Sequence, residues 1–116
     1  MNTSDPSRIV EVGSNYLLLR IPGSLDIQTA EVLEKAIEPS SLLECRNVIA
    51  DMSQCKFVSS SGLRFLVVVA KKARAAGGDL LLADLHKSVR DLLLICGLGK
   101  AFPMHYSVAA ALQSLA

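Results

Sequence analysis

Along this chain, short apolar runs alternate with stretches whose apolar residues recur every three to four positions. No other feature restricts the fold as tightly. A strand covered on both faces reads as an unbroken apolar run, whereas a helix lying on a sheet reads as a stripe. Residues 80–83, Leu-Leu-Leu-Ala, are such a run. Residues 47–52 are a second, carrying the acid Asp51 near the C-terminal end. Residues 9–12 and 16–21 are separated by Gly13-Ser14-Asn15, a connection suited to an antiparallel hairpin, and Pro22-Gly23 breaks the pattern after them. Residues 102–104 are expected as a short last strand.

The stripes lie between these runs. From Asp26 onward, Ile27, Ala30, Leu33, Ala36 and Ile37 share one face of a predicted helix, and Gln28, Glu31, Glu34, Lys35 and Glu38 fill the other. Asp26 is placed to cap it by accepting from free N–H groups of the first turn, and Pro39 lies just beyond its end. Residues 63–76 predict a second helix, apolar nearly all round in its first half, as in a helix packed between a sheet and other elements. Lys71, Lys72 and Arg74 suit its C-terminal end through the macrodipole, and Gly77-Gly78 stops it. Residues 88–96 predict a third helix with Val89, Leu92, Leu93 and Cys96 inward and Gly97 ending it; residues 108–115 predict a fourth, capped by Ser107. Strands alternating with helices predict an α/β fold, a mixed and largely parallel sheet of four or five strands backed by about four helices. With 116 residues there is room for one such core and not for two, so a single domain is expected, residues 1–7 forming a flexible polar tail.

Composition removes several functions from consideration. A net charge of +1 supplies no general attraction to nucleic acid or to an anionic membrane. Two Tyr, three Phe and no Trp make an aromatic platform for stacked bases unexpected. No apolar stretch reaches the roughly 20 residues that cross a bilayer, and the N-terminus lacks the basic start and apolar run of a signal peptide. A cytoplasmic location without membrane insertion is therefore expected. Cys45, Cys55 and Cys96 are odd in number and far apart, which suits reduced, mostly buried thiols rather than a disulfide frame or zinc site.

Residues that could carry chemistry are few. Gly97-Leu98-Gly99-Lys100 is a fragment of a phosphate-binding loop that reads as a helix terminator, and no GxGxxG follows the first strand. His86 and His105 lack the paired spacing of metal ligands, so no metal or cofactor is expected. The informative segment runs from Asp51 through Ser59-Ser60-Ser61-Gly62 to Leu66: a strand, a loop, a cluster of hydroxyls, then a long apolar helix. Ser60 or Ser61 is expected at the N-cap of that helix, and Gly62 in its first turn lets backbone or a partner surface approach closely. An anion attached there would meet free N–H groups and the positive end of the dipole. A serine-hydrolase elbow requires Gly two residues either side of the nucleophile; around Ser60 those places hold Val58 and Gly62. Assembling a triad from Asp51 or Asp84 with His105 has no further support in the sequence.

The segment resembles the signature of the STAS domain, the fold of anti-sigma factor antagonists and of sulphate-transporter tails. That family shows Asp-x-Ser ending a strand, a hydrophobic pair, then Asp-Ser-Ser/Ala/Thr-Gly-Leu opening a helix. Asp51-Met52-Ser53, Phe57-Val58 and Ser60-Ser61-Gly62-Leu63 are similar to it in order and spacing. Ile21-Pro22-Gly23-Ser24-Leu25-Asp26 resembles the step before the family's first helix. Ser88-Val89-Arg90-Asp91-Leu92-Leu93, Gly97-Leu98 and Ala101-Phe102-Pro103 resemble its closing helix, loop and last strand.

The resemblance implies protein–protein regulation without catalysis by this chain. In the family, the serine after the acidic residue is phosphorylated by a kinase that is also the anti-sigma factor, and a PP2C-type phosphatase restores it. The dephosphorylated domain docks on that kinase and frees the sigma factor. By position the acceptor is Ser60, with Ser59 and Ser61 as neighbouring hydroxyls; Ser24, Asp26, Ser59, Ser60, Ser61, Gly62 and Arg64 are implied on the partner-binding face. Ser59 stands where the family carries its acid, which removes a negative charge beside the acceptor. The alternative within the same family is a STAS subunit of an ABC-type lipid transport complex, which acts by binding without a phosphorylation cycle.

Overall fold

The computed structural model describes residues 9–37 and 46–116. Glu38, Pro39, Cys45 and the N-terminal tail lie outside the described residues. Five strands form the main sheet in the order β1-β2-β4-β6-β7. These are β1 (Val10–Val12), β2 (Tyr16–Arg20), β4 (Asn47–Asp51), β6 (Leu80–Ala83) and β7 (Met104–His105). Among the described strands only β1 runs antiparallel to its neighbour, pairing Val10 with Leu19 and Val12 with Leu17. The other neighbours are parallel: Leu18 faces Ile49, Ile49 faces Leu81, and Leu82 faces Met104. Two further strands, β3 (Ser24–Leu25) and β5 (Phe57–Val58), pair with each other as a separate parallel ribbon.

Helices α1 (Ile27–Ile37), α2 (Ser60–Ala75), α3 (Lys87–Ile95) and α4 (Val108–Ser114) connect and close the sheet. Strand side chains alternate between faces, and each face has its own core. Leu17, Leu19, Val48, Ala50, Leu80 and Leu82 pack against Leu33 of α1, Phe65, Leu66 and Val69 of α2, and Val89 and Leu93 of α3. Leu18, Ile49, Leu81 and Ala83 pack on the opposite face against Ala111 of α4. All four residues of β6 are buried for this reason, as its unbroken apolar run predicts. The mixed five-stranded sheet and the four helices of the described residues agree with the expectation from sequence.

Several details differ. Helix α2 begins at Ser60 rather than at residue 63, because the hydroxyl run is taken into its first turn. Helix α3 begins at Lys87, with His86 ahead of it making no side-chain cap; His86 Nε2 instead donates to the Ser53 carbonyl at 2.8 Å. The last strand is Met104–His105 rather than 102–104, although Phe102 is buried beside it. Cys96 is exposed, not inward, since the helix ends at Ile95 and the stripe no longer applies beyond it. Ile27 is 61% exposed: as the first residue of α1 it lies ahead of the turn that meets the sheet. Gly77, at φ +92°, turns the chain out of α2 where an L side chain is disfavoured.

Candidate docking site

The serine run is positioned by the small ribbon. Ser24 pairs with Phe57 and Leu25 with Val58, and the Lys56 N–H donates to the Gly23 carbonyl at 2.9 Å. One rung further, the Ser59 N–H donates to the Leu25 carbonyl at 2.9 Å. The chain must then turn into the helix. Ser59 makes that turn from an extended conformation, φ −83° and ψ 174°, and its Oγ accepts the Gly62 N–H at 3.1 Å. The N-cap is therefore Ser59, not Ser60 or Ser61 as the sequence suggested. Its backbone N–H is committed to the ribbon and its carbonyl accepts the Leu63 N–H at 2.9 Å, so the helix starts there.

This shift separates the three hydroxyls. Ser59 is half-buried with its oxygen engaged as the cap. Ser61 is half-buried and lines a groove between α1 and α2. Ser60, the first helical residue, is exposed. Gly62 is buried, and a Cβ on it would stand 2.3 Å from the Leu25 carbonyl oxygen. The close approach it permits is thus by the chain's own β3.

Asp26 follows β3 directly and caps α1, as its position predicts. Its Oδ1 accepts from the N–H groups of Gln28 and Thr29, both at 3.1 Å, while the Asp26 N–H donates to Thr29 Oγ1 at 2.8 Å. The Thr29 hydroxyl also donates to the Ser24 carbonyl at 2.9 Å, fastening β3 to the helix. The bond from the Thr29 N–H holds the Asp26 carboxyl below the usual aspartate range; desolvation opposes it, and the Thr29 hydroxyl and the Gln28 N–H add to the lowering. Behind the ribbon, Cys55 is buried with its Sγ 3.4 Å from the Phe57 carbonyl, and burial pushes its thiol up, away from the reactive thiolate.

The ribbon thus brings Ser24, Asp26, Ser59, Ser60, Ser61 and Gly62 to one corner, with exposed Arg64 one turn into α2. Sequence reasoning missed two residues there. Phe57, 57% exposed, alternates outward from buried Val58 on β5, and Ile27 is exposed at the start of α1. The two-residue alternation at 57–58 was the available signal. Ser61, Arg64, Ile27 and Glu31 line a groove of about 310 Å3. A cavity of about 670 Å3 is lined by a different set, including Arg20, Ile21, Thr29, Leu33, Asp51 and Ser53. It contains none of the residues expected on the docking face.

Among the described residues, no hydrogen bond joins Ser60 to Asp51, Asp84 or His105. The Asp51 carboxylate instead accepts the Ser53 N–H at 3.0 Å, and His105 is a strand residue whose carbonyl accepts the Asp84 N–H. No group of three or more potential metal ligands occurs among them, and no described helix is long and apolar enough to cross a membrane.

Relatives share this architecture. The chain is 33% identical over 95 residues, 82% of either sequence, to a Bordetella bronchiseptica protein provisionally named anti-sigma factor antagonist BtrV. An anti-sigma factor antagonist structure from Mycobacterium paratuberculosis superposes with a TM-score of 0.78 at 24% identity, covering 97% of each chain. The Bacillus cell fate determinant SpoIIAA, in its phosphorylated form, superposes with a TM-score of 0.73 at 20% identity over 92% of this chain and 97% of its own. The STAS domain profile matches residues 7–111. That span takes in β1 through the first turn of α4, and the chain belongs to the STAS domain family.

Proposed function

We propose that this chain is an anti-sigma factor antagonist that works by partner switching, with Ser60 as the phosphoacceptor. Unmodified, it docks on an anti-sigma factor that is also a serine kinase; phosphorylated, it is released, and a PP2C-type phosphatase returns it to the binding form. The observation that carries this reading is the unequal state of the three hydroxyls. Ser59 is occupied as a cap, Ser61 is half-buried in a groove, and Ser60 is exposed. Ser60 is the hydroxyl that a kinase can reach without unmaking the helix start. Its named relative supports the role: BtrV, at 33% identity, carries the antagonist name.

In the transfer, the Ser60 oxygen attacks the γ-phosphorus of ATP, the bond to the departing ADP breaks, and the hydroxyl proton passes to a base on the kinase. The product carries nearly two negative charges and a solvated, bulky group. A surface complementary to a neutral hydroxyl is repelled by it and must strip its water. The fold itself tolerates the anion, because the start of α2 presents free N–H groups and a favourable dipole. The chain acts by binding, and its own residues supply no catalysis.

The test is to incubate the protein with its cognate kinase and ATP, map the phosphate by peptide fragmentation, and measure binding of variants. Ser60→Asp should lose kinase binding while melting within a few degrees of wild type, and Ser60→Ala should bind whether or not ATP is present. Phosphate on Ser59 or Ser61, full binding by Ser60→Asp, or co-purification with a transporter permease instead of a kinase would overturn the reading.

A further inference from the structure

We propose that Arg64 is the intramolecular counter-ion of phosphoserine 60, an inference that rests on the reading of Ser60 as phosphoacceptor. Ser60 and Arg64 stand four residues apart on α2, so they rise from one face of the helix a single turn apart, the spacing at which opposite charges pair. Helical side chains lean toward the N-terminus, which carries the Arg64 side chain back over the turn that begins with Ser60. Both residues are exposed. A guanidinium presents parallel N–H donors that match two phosphate oxygens.

Arg64 is also available. Arg20 pairs with Glu11, Arg74 with Asp79, and Lys87 with Asp91. Arg64, by contrast, makes no ion pair or hydrogen bond among the described residues, although Glu31 and Glu34 of α1 line the same groove. The first turn of α2 holds no acid that would compete for it. Phosphorylation therefore changes the docking face twice. It adds a dianion at Ser60, and it draws the Arg64 cation away from whatever acidic group of the partner it would otherwise meet.

The pair can be tested without any kinase by installing phosphoserine at position 60 during translation, in the full chain and in its Arg64→Gln variant. The readout is the second ionisation of the phosphate, followed by phosphorus NMR from acid to neutral pH. A neighbouring cation favours the dianion, so the wild-type phosphate should titrate about 0.3 pH unit lower than that of Arg64→Gln at low salt. The difference should shrink at high salt. Asp26, Glu31, Glu34 and Lys56 act alike in both proteins, so the difference isolates Arg64. Arg64→Lys should keep the direction of the shift. Equal titration of wild type and Arg64→Gln, within about 0.1 unit, would overturn the pairing. Failure of the kinase to modify Ser60 would overturn the acceptor reading instead, and the two results are separately visible.

Discussion

Replacing Gly62 by alanine sets two effects of opposite sign against each other. Helix propensity favours alanine by about 0.8–1 kcal/mol in a helix interior, and by less in a first turn. Against it, the new Cβ would lie 2.3 Å from the Leu25 carbonyl oxygen, 2.9 Å from Leu25 Cγ and 3.0 Å from the Leu25 carbonyl carbon. Two of these are backbone atoms that cannot rotate aside, so β3 or α2 must move. Overpacking of this kind costs about 1–3 kcal/mol. The same Leu25 oxygen accepts the Ser59 N–H at 2.9 Å, a bond worth about 1 kcal/mol, and moving the oxygen weakens it. The steric side wins, with a net loss of about 1–3 kcal/mol. For a chain of this length that corresponds to a fall in melting temperature of roughly 4–15 °C. Circular dichroism melts and urea titrations of Gly62→Ala measure it directly. Because β3 carries Ser24 and leads into Asp26, kinase binding should weaken beyond what the unfolded fraction explains, at a temperature where the variant is folded. A melting temperature equal to or above wild type would show that β3 yields freely, and the close-packing account of Gly62 would be wrong.

Two further outcomes follow from the caps. Ser59→Ala removes the acceptor for the Gly62 N–H and should lose about 1 kcal/mol in a urea titration, whereas Ser59→Asp, which can still accept, should lose little; equal loss in both would contradict the cap assignment. Asp26 has a folded-state pKa below its unfolded value, so it stabilises the fold above the unfolded value and the contribution fades as pH falls from about 4 downward. Asp26→Asn keeps a capping oxygen without the charge. Its deficit relative to wild type should be present at neutral pH and shrink in acid melts, and a deficit that grows toward low pH would reverse the assigned sign.

What the sequence made legible was patterning long enough to read. β2 and β6 show as unbroken apolar runs covered on both faces, α1 as a stripe whose Ala30, Leu33 and Ile37 are the buried residues, and α2 as a long apolar stretch. β3 and β5 have two residues each, too few to express a period, and they exist because each is the other's partner. Ile27 and Cys96 were misplaced for one reason: a stripe extrapolated to a helix end assigns an inner face where the partner surface has already stopped. The cap was ambiguous because three successive serines have the same capping chemistry. Only the ribbon decides among them, by fixing Val58 as its last strand residue and committing the Ser59 N–H to Leu25.

The same ribbon explains how this chain can carry serine where its family resemblance implies an acid. The residue at position 59 has a structural task, to accept the Gly62 N–H from an extended backbone, and aspartate and serine perform it about equally well. Exchanging one for the other leaves the helix start in place and changes only the charge. With Ser59, the first turn of α2 holds no acid. A phosphate on Ser60 then brings the first negative charge to that turn, instead of adding to a carboxylate one residue away. Like charges at that separation would oppose the dianion, whereas the free N–H groups of the turn and the Arg64 guanidinium favour it. On the proposed reading of Ser60 as phosphoacceptor, the neutral cap costs the fold little and leaves the unmodified corner without a charge at position 59, so the phosphate itself is what makes the first turn of α2 negative.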